Sequence, residues 1–207
     1  GSDGYVRIWD SGTGRLLRSF PAHDVPEKYA GMTVRDLRFT PDHKLLSAGE
    51  DGTLALWDAG SGEDTGSGDL LKRFDGYRKW INRISRNEDG SRAASASADH
   101  TVRIWSLKEG RCVHVLRGHE EIVQWAEFQP GGTLLASADC GGVIGIWDAV
   151  SGKNLHMIHA HGDIVGGIRF SPDGTRLMAA SLDGDVSVGN ADTGVRIQTL
   201  NRRGWKV

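Results

Sequence analysis

Four residue types able to do chemistry recur together along this chain: histidine, serine, aspartate and tryptophan. A serine hydroxyl beside an imidazole and a carboxylate is the arrangement of a hydrolytic nucleophile. Repetition argues against that reading. The group returns at regular intervals, as a scaffold requires and a single active site does not. A buried indole N–H and a buried imidazole need hydrogen-bond partners, and a neighbouring Ser and Asp supply them at about 1 kcal/mol per bond. The set therefore reads as structural, and no catalytic residue is expected.

Other reactive side chains give weaker signals. His156, His159 and His161 form the histidine cluster. Strand alternation would put His159 and His161 on one face, but no nearby cysteine or acidic set completes a metal site. Exposed outer-strand histidines are the expectation, with no metal and no cofactor. Cys140 has no clear basic neighbour to activate it. Trp80 and Trp125 stand near basic residues and could stack on a nucleobase. Lys plus Arg is 25 against 27 for Asp plus Glu, net charge −2, so a nucleic-acid footprint is not expected. The 29 glycines fall at turns rather than in a phosphate-binding loop.

The elements that position these residues are short strands. Residues 111–148 show the pattern best. Apolar residues alternate at Val113 and Val115, then come Gly118-His119, a run from Val123 to Phe128, and the turn Pro130-Gly131-Gly132. A run from Leu134 to Ser137 and one from Val143 to Trp147 complete the unit. Period-2 segments split by Gly, Pro and Asp are antiparallel strands joined by tight turns. Sliding the unit along the chain lands its end on Trp9-Asp10, Trp57-Asp58, Trp105-Ser106, Trp147-Asp148 and Gly189-Asn190, at steps of 48, 48, 42 and 42 residues. Equivalent turns occur at Pro41-Asp42, Asp89-Gly90, Pro130-Gly131 and Pro172-Asp173. These supply the preset or positive φ that such turns need. A second set, Asp3-Gly4, Asp51-Gly52, Asp99-His100 and Asp183-Gly184, precedes the last strand, with Gly141 where the third copy should carry Asp.

A period near 40–45 residues running from Gly-His to Trp-Asp resembles the WD-repeat family of β-propellers. The resemblance implies an all-β fold: a WD-repeat β-propeller with four full four-stranded blades plus an N-terminal half-blade, an incomplete ring. It also implies a buried hydrogen-bonded set in each blade. Copy one would use His23, Ser47, Asp51 and Trp57, although an insertion separates His23 from Pro41 by 18 residues where other copies need 11. Copy two would keep Ser95, Asp99 and Trp105, with Tyr77 in the histidine slot. Copy three would keep His119, Ser137 and Trp147 without the Asp. Copy four would keep His161 and Asp183, with Ala179 and Gly189 in the other two places.

The expected organisation is a half-blade over 1–22, blades over about 23–68, 69–117, 118–160 and 161–200, and a tail over 201–207. The insertion around 25–29 and the Gly-rich connector 60–68 should leave the sheets as loops. With 38% hydrophobic and 25% charged residues the composition is that of an ordinary globular chain. No apolar run is long enough to span a bilayer, and no signal peptide is visible. Cys112 and Cys140, the two cysteines, are not expected to pair, which suits a reducing, cytoplasmic setting. The chain opens on Gly-Ser without a Met, as a cut through a longer protein would.

Family resemblance implies a non-catalytic scaffold for protein–protein recognition, with protein partners or the remaining blades of a larger chain, no nucleic acid and no membrane insertion. The alternatives are a docking or regulatory propeller of an enzyme or cofactor protein whose catalytic part lies outside this segment, or a self-assembling propeller fragment. Arg35, Glu50, Trp80, Asn82 and Gln124 fall where such proteins present their contact loops and have the mixed polar and aromatic character of a binding patch.

Overall fold

The computed structural model describes residues 3–23, 34–60 and 68–201. Among the described residues every regular element is a strand. A two-stranded sheet pairs β1 (Tyr5–Trp9) with β2 (Leu16–Pro21). Blade one contains β3 (Val34–Phe39), β4 (Lys44–Gly49), β5 (Leu54–Asp58) and β6 (Leu70–Phe74). Blade two contains β7 (Ile81–Arg86), β8 (Arg92–Ser97), β9 (Val102–Ser106) and β10 (Arg111–Leu116). Blade three contains β11 (Val123–Phe128), β12 (Leu134–Asp139), β13 (Val143–Asp148) and β14 (Asn154–His159). Blade four contains β15 (Val165–Phe170), β16 (Arg176–Ser181), β17 (Asp185–Asn190) and β18 (Arg196–Asn201).

Each sheet is an antiparallel meander in sequence order. The first strands β3, β7, β11 and β15 succeed one another around the inside of the arc, and among the described residues the sheets do not close into a ring. The expected insertion at 25–29, most of the 60–68 connector and the tail past 201 lie outside the described residues.

The apolar cores lie between sheets rather than within them. Val6, Phe20 and Ala22 of the half-blade meet Leu45, Ala55 and Trp57 of blade one. Leu46, Leu54, Leu56 and Phe74 of blade one meet Ile84, Ala93 and Trp105 of blade two. Ala94, Ala96, Ile104 and Leu116 of blade two meet Val123, Leu135 and Trp147 of blade three. Ala136, Ala138 and Ile144 of blade three meet Val165, Ile168 and Leu177 of blade four. A sheet packed on both faces shows little alternation in burial. Accordingly β12 is buried along its whole length, whereas on β16 Leu177 and Ala179 are buried while Met178 and Ala180 are exposed.

The tryptophans seat these interfaces. Trp57 lies 4.9 Å from Phe20 and Trp105 lies 5.6 Å from Phe74, ring centroid to centroid, each reaching the outer strand of the preceding sheet. Trp147 joins Leu116 in the same way. Where the chain has Gly189 in place of a tryptophan, a cavity of about 30 Å³ remains, lined by Ile146, Ile158 and Leu177 among others.

A row of polar straps runs along the outside. The side chains of Arg18, Lys72, His114 and His156, at equivalent outer-strand positions, donate to the carbonyls of Asp58, Leu107, Val150 and Asp192 on the following sheet, at 3.4, 2.9, 2.9 and 3.0 Å. One turn makes a glycine obligatory. Gly142 has φ of +82°, and the backbone of His161 lies where a Cβ would stand. At the equivalent place in blade two His100 accepts φ of +70°, and its ring bonds the Glu120 carbonyl at 2.7 Å.

Burial at these interfaces sets an expectation for the tryptophans. Trp105→Ala should lower stability by about 3–5 kcal/mol in urea unfolding, the range for truncating a buried aromatic. Trp9→Ala, at a site 56% exposed, should change it by less than about 1 kcal/mol. Equal losses would contradict the assignment of the core to the spaces between sheets.

Candidate functional site

Two sets of side chains are candidates: the hydrogen-bonded groups inside each blade, and the polar surface at the ends of the inner strands. In blade three the Trp147 indole N–H donates to Ser137 Oγ at 2.7 Å, Ser137 meets His119 Nε2 at 2.6 Å, and His119 Nδ1 meets Asp139 Oδ2 at 2.6 Å. An indole only donates and a carboxylate only accepts, so with a neutral imidazole the direction is forced. Tryptophan gives to serine, serine to histidine, and histidine to aspartate. Ser137 and Asp139 are fully buried. With its oxygen already engaged by an indole and sealed from solvent, Ser137 offers no approach to a substrate carbonyl.

Blade one repeats this order. Trp57 donates to Ser47 at 2.8 Å, Ser47 meets His23 Nε2 at 2.8 Å, and His23 Nδ1 meets Asp51 at 3.0 Å. The long insertion after His23 therefore leaves the residue in its slot. Asp51 also accepts from the Thr53 amide at 2.9 Å, which fixes the turn before β5.

The third blade corrects the expectation that it lacks an acidic member. Asp139, two residues before Gly141, takes that role and also accepts from the Gly141 and Val143 amides, both at 2.9 Å. Residues two apart on a strand share a face, so the Ser137–Asp139 spacing was the available signal. Burial opposes ionisation of Asp139, but the His119 bond and the two amides outweigh it and hold the carboxyl below its usual range.

Blades two and four reach the same end differently. In blade two Trp105 donates to Ser95 Oγ at 2.7 Å, and Tyr77 Oη lies 2.8 Å from that oxygen while donating to the Ser95 carbonyl at 2.6 Å. A tyrosine can both donate and accept, so the set closes on the backbone and needs no acid. Burial pushes the Tyr77 hydroxyl far up, and it stays neutral. Asp99, expected in the set, instead accepts from Thr101 Oγ1 at 2.6 Å and lies 3.8 Å from Arg103, whose guanidinium covers the Tyr77 ring at 4.4 Å. In blade four His161 Nδ1 meets Asp183 at 3.0 Å and Nε2 meets Ser187 at 2.8 Å. Ser187 pairs directly across the ladder from Ala179, so the missing hydroxyl has moved to the partner strand. His161 is thus no exposed outer-strand histidine: it lies beyond β14, and its side chain is only 2% exposed. His156 serves as a strap, and His159 ends β14.

The inner-strand surface gathers some of the proposed contact residues and disperses others. Arg35 forms an ion pair with Glu50, and its guanidinium lies 5.9 Å from the Trp80 ring. These three bridge blades one and two. Asn82 is corrected to an internal role: it is buried, and its amide donates to the Val123 carbonyl of blade three at 2.9 Å. Gln124 is half-buried and meets Cys140 Sγ at 3.1 Å. A second group follows from aligning the inner strands. Arg83 and Arg169 lie over the Trp125 ring at 4.2 and 5.1 Å, and Arg83 reaches Asp36 at 3.5 Å. The Trp125 ring is occupied by these guanidiniums, each a cation–π partner. At the opposite end of the same strands an open cavity of about 430 Å³ is lined by Arg38, Arg86, Arg169, Glu88 and Glu127 among others. Burial raises the Glu127 carboxyl, opposed by its ion pair with Arg169.

The lowered Asp139 carboxyl carries a pH dependence. Between its native and unfolded values the unfolded chain binds more protons, so stability is full above the unfolded value and falls as pH drops through the native one. Asp139→Asn should be destabilised at neutral pH, and its deficit relative to wild type should shrink below about pH 4. Urea unfolding across a pH series measures this; a deficit constant down to the acid limb would contradict it.

Comparison with known proteins places these features. The family model described as WD domain, G-beta repeat matches residues 14–58, 68–106, 110–148 and 152–188. Each match starts at or just before an outer strand and ends on the third strand of the next sheet, the strand that carries the tryptophan in blades one to three, so one sequence repeat spans two sheets. The nuclear distribution protein PAC1 of Komagataella phaffii is 29% identical over 134 residues, 62% of this chain and 24% of that protein. The ribosome biogenesis protein ytm1 of Aspergillus clavatus is 30% identical over 109 residues, 52% of this chain and 22% of that protein. Human WD repeat and SOCS box-containing protein 1 is 31% identical over 106 residues, 51% of this chain and 23% of that protein. The chain matches about a quarter of the length of these relatives. With most of its length matched, repeat after repeat, this chain belongs to the WD domain, G-beta repeat family.

Proposed function

We propose that the chain is a non-catalytic platform for protein recognition, one arc of a larger propeller assembly, and that its contact surface is centred on Arg35, Glu50 and Trp80. WD repeats indicate a protein-interaction scaffold. The observation that carries the finer reading is Trp80, an aromatic side chain left 37% exposed at the end of an inner strand beside a paired Arg35 and Glu50. Tryptophan and arginine are the residues that most often dominate binding energy. Here they sit on sheets whose backbones are fixed from both sides, so little ordering is left to be done on binding. The hydrogen-bonded sets supply that rigidity rather than a reaction. Relatives named for nuclear distribution, ribosome biogenesis and a SOCS box carry similar repeats within much longer chains. Free thiols at Cys112 and Cys140 support a cytoplasmic setting.

Affinity capture with the 207-residue chain as bait tests the surface. Trp80→Ala and Arg35→Ala should each lose partners that wild type retains, while shifting Tm by less than about 2 °C. Capture unchanged in both variants would remove these residues from the contact surface.

A further inference from the structure

Successive blades are joined by different means, and one boundary is left open. The residue that begins the second strand of each blade stands beside the following blade. It is Lys44, Arg92 and Leu134 in blades one to three, pairing across the ladder with Asp58, Ser106 and Asp148. Between blades two and three Arg92 spans the gap and donates to the Ala149 carbonyl at 2.6 Å, while His114 bonds the adjacent Val150 carbonyl at 2.9 Å. Between blades three and four Leu134 fills the place and packs with Ala191. Between blades one and two a single side chain serves both carbonyls: Lys72 donates to that of Leu107 at 2.9 Å and to that of Lys108. Lys44 turns back instead to Asp42 at 2.6 Å. What remains is an open cavity of about 530 Å³, the size of a ligand site.

The lining of this cavity is apolar in one part and cationic in the other. Leu56 and Leu107 are buried, and Leu71 beside them is 42% exposed. Lys44, Lys72 and Lys108 line the cavity with one carboxylate, that of Asp42. Asp42 is paired with Lys44. Lys72 bonds backbone carbonyls, which leave its charge uncompensated, and the exposed Lys108 side chain has no carboxylate partner among the described residues. Unmatched cations beside an apolar surface complement a ligand that carries an apolar side chain flanked by carboxylates. Every lining residue named belongs to blades one and two, an internal boundary with a further sheet packed on either side.

We infer that the groove between blades one and two is a second contact site and that it takes an acidic segment of a partner protein. An apolar side chain of that segment sits on Leu56, Leu71 and Leu107, and its carboxylates meet Lys72 and Lys108. The groove lies by the β3–β4 and β7–β8 turns, at the opposite end of the inner strands from Trp80, so it is independent of the Trp80 contact surface. Its walls are held by the same stacked sheets, which leaves little ordering to be done by the protein on binding.

Fluorescence anisotropy with short labelled peptides tests the assignment. The 207-residue chain should bind Glu-Glu-Leu-Leu-Glu-Glu with a Kd below about 100 μM. Gln-Gln-Leu-Leu-Gln-Gln, without the charges, and Glu-Glu-Ser-Ser-Glu-Glu, without the apolar side chains, should each bind about tenfold more weakly or worse. Lys108→Glu and Leu71→Asp change exposed side chains, so their melting curves should stay close to wild type, and each should weaken the first peptide about tenfold or more. Trp80→Ala should bind it as wild type does. A Kd weaker than about 100 μM for the first peptide, equal binding of the three peptides, or binding undiminished in the two groove variants would overturn the inference. Loss of binding in Trp80→Ala would also overturn it, by placing the acidic segment on the inner-strand surface.

Discussion

Burial between successive sheets is the constraint from which the rest follows. A four-stranded sheet of five- or six-residue strands has apolar side chains on both faces and no means of covering either by itself. Stacking solves this for interior sheets, because each gives one face to the sheet before and one to the sheet after. Apolar area removed from water contributes roughly 25 cal/mol per Å², and the gain is repeated at every boundary. Stability then becomes approximately a sum over neighbouring pairs, as in other repeat proteins. Alanines such as Ala94, Ala96, Ala136 and Ala138 serve this end: small side chains on the second strand let adjacent sheets approach.

Close stacking creates a polar problem that the hydrogen-bonded sets resolve. A tryptophan large enough to reach the preceding sheet brings a buried N–H, which must be satisfied or costs about 1–3 kcal/mol. Ser47, Ser95 and Ser137 accept that proton in blades one to three. What the structure preserves is the complete donor and acceptor chain rather than the residue types. Blade two closes it with Tyr77 and a backbone carbonyl, and blade three with an aspartate moved two residues along its strand. Blade four, having lost the tryptophan, keeps only the histidine half and transfers the hydroxyl to Ser187. The cavity beside Gly189 is the packing consequence of that loss.

Most of the architecture was legible in the sequence, since strand alternation and turn residues act locally and repeat in phase. The half-blade at Trp9-Asp10 and the four sheets follow from that phase alone. Internal chemistry was less legible for a specific reason. A motif assigns one position to each role, whereas a hydrogen bond needs only an atom of the right polarity within reach. Ser187 reaches its partner from the strand beside Ala179, which a linear register does not reveal, whereas Asp139 stands two residues from Ser137 and outside the position the motif assigns. Asn82 was misplaced on the contact surface because alternation sets the direction of a side chain relative to its own sheet and says nothing of the Val123 carbonyl waiting on the next blade. The stacking of Arg83 and Arg169 on Trp125 was hidden likewise, since its members come from three different blades.

If stability resides between sheets, amide protection must follow the number of covered faces. Native-state hydrogen exchange on the 207-residue chain reads this strand by strand. The amides of β8 and β12, enclosed on both sides, should exchange through global unfolding, while those of β1, β16 and β17 should exchange faster through local opening. Uniform protection across all the sheets, or slower exchange in β16 and β17 than in β12, would contradict the dependence of each blade on its neighbours.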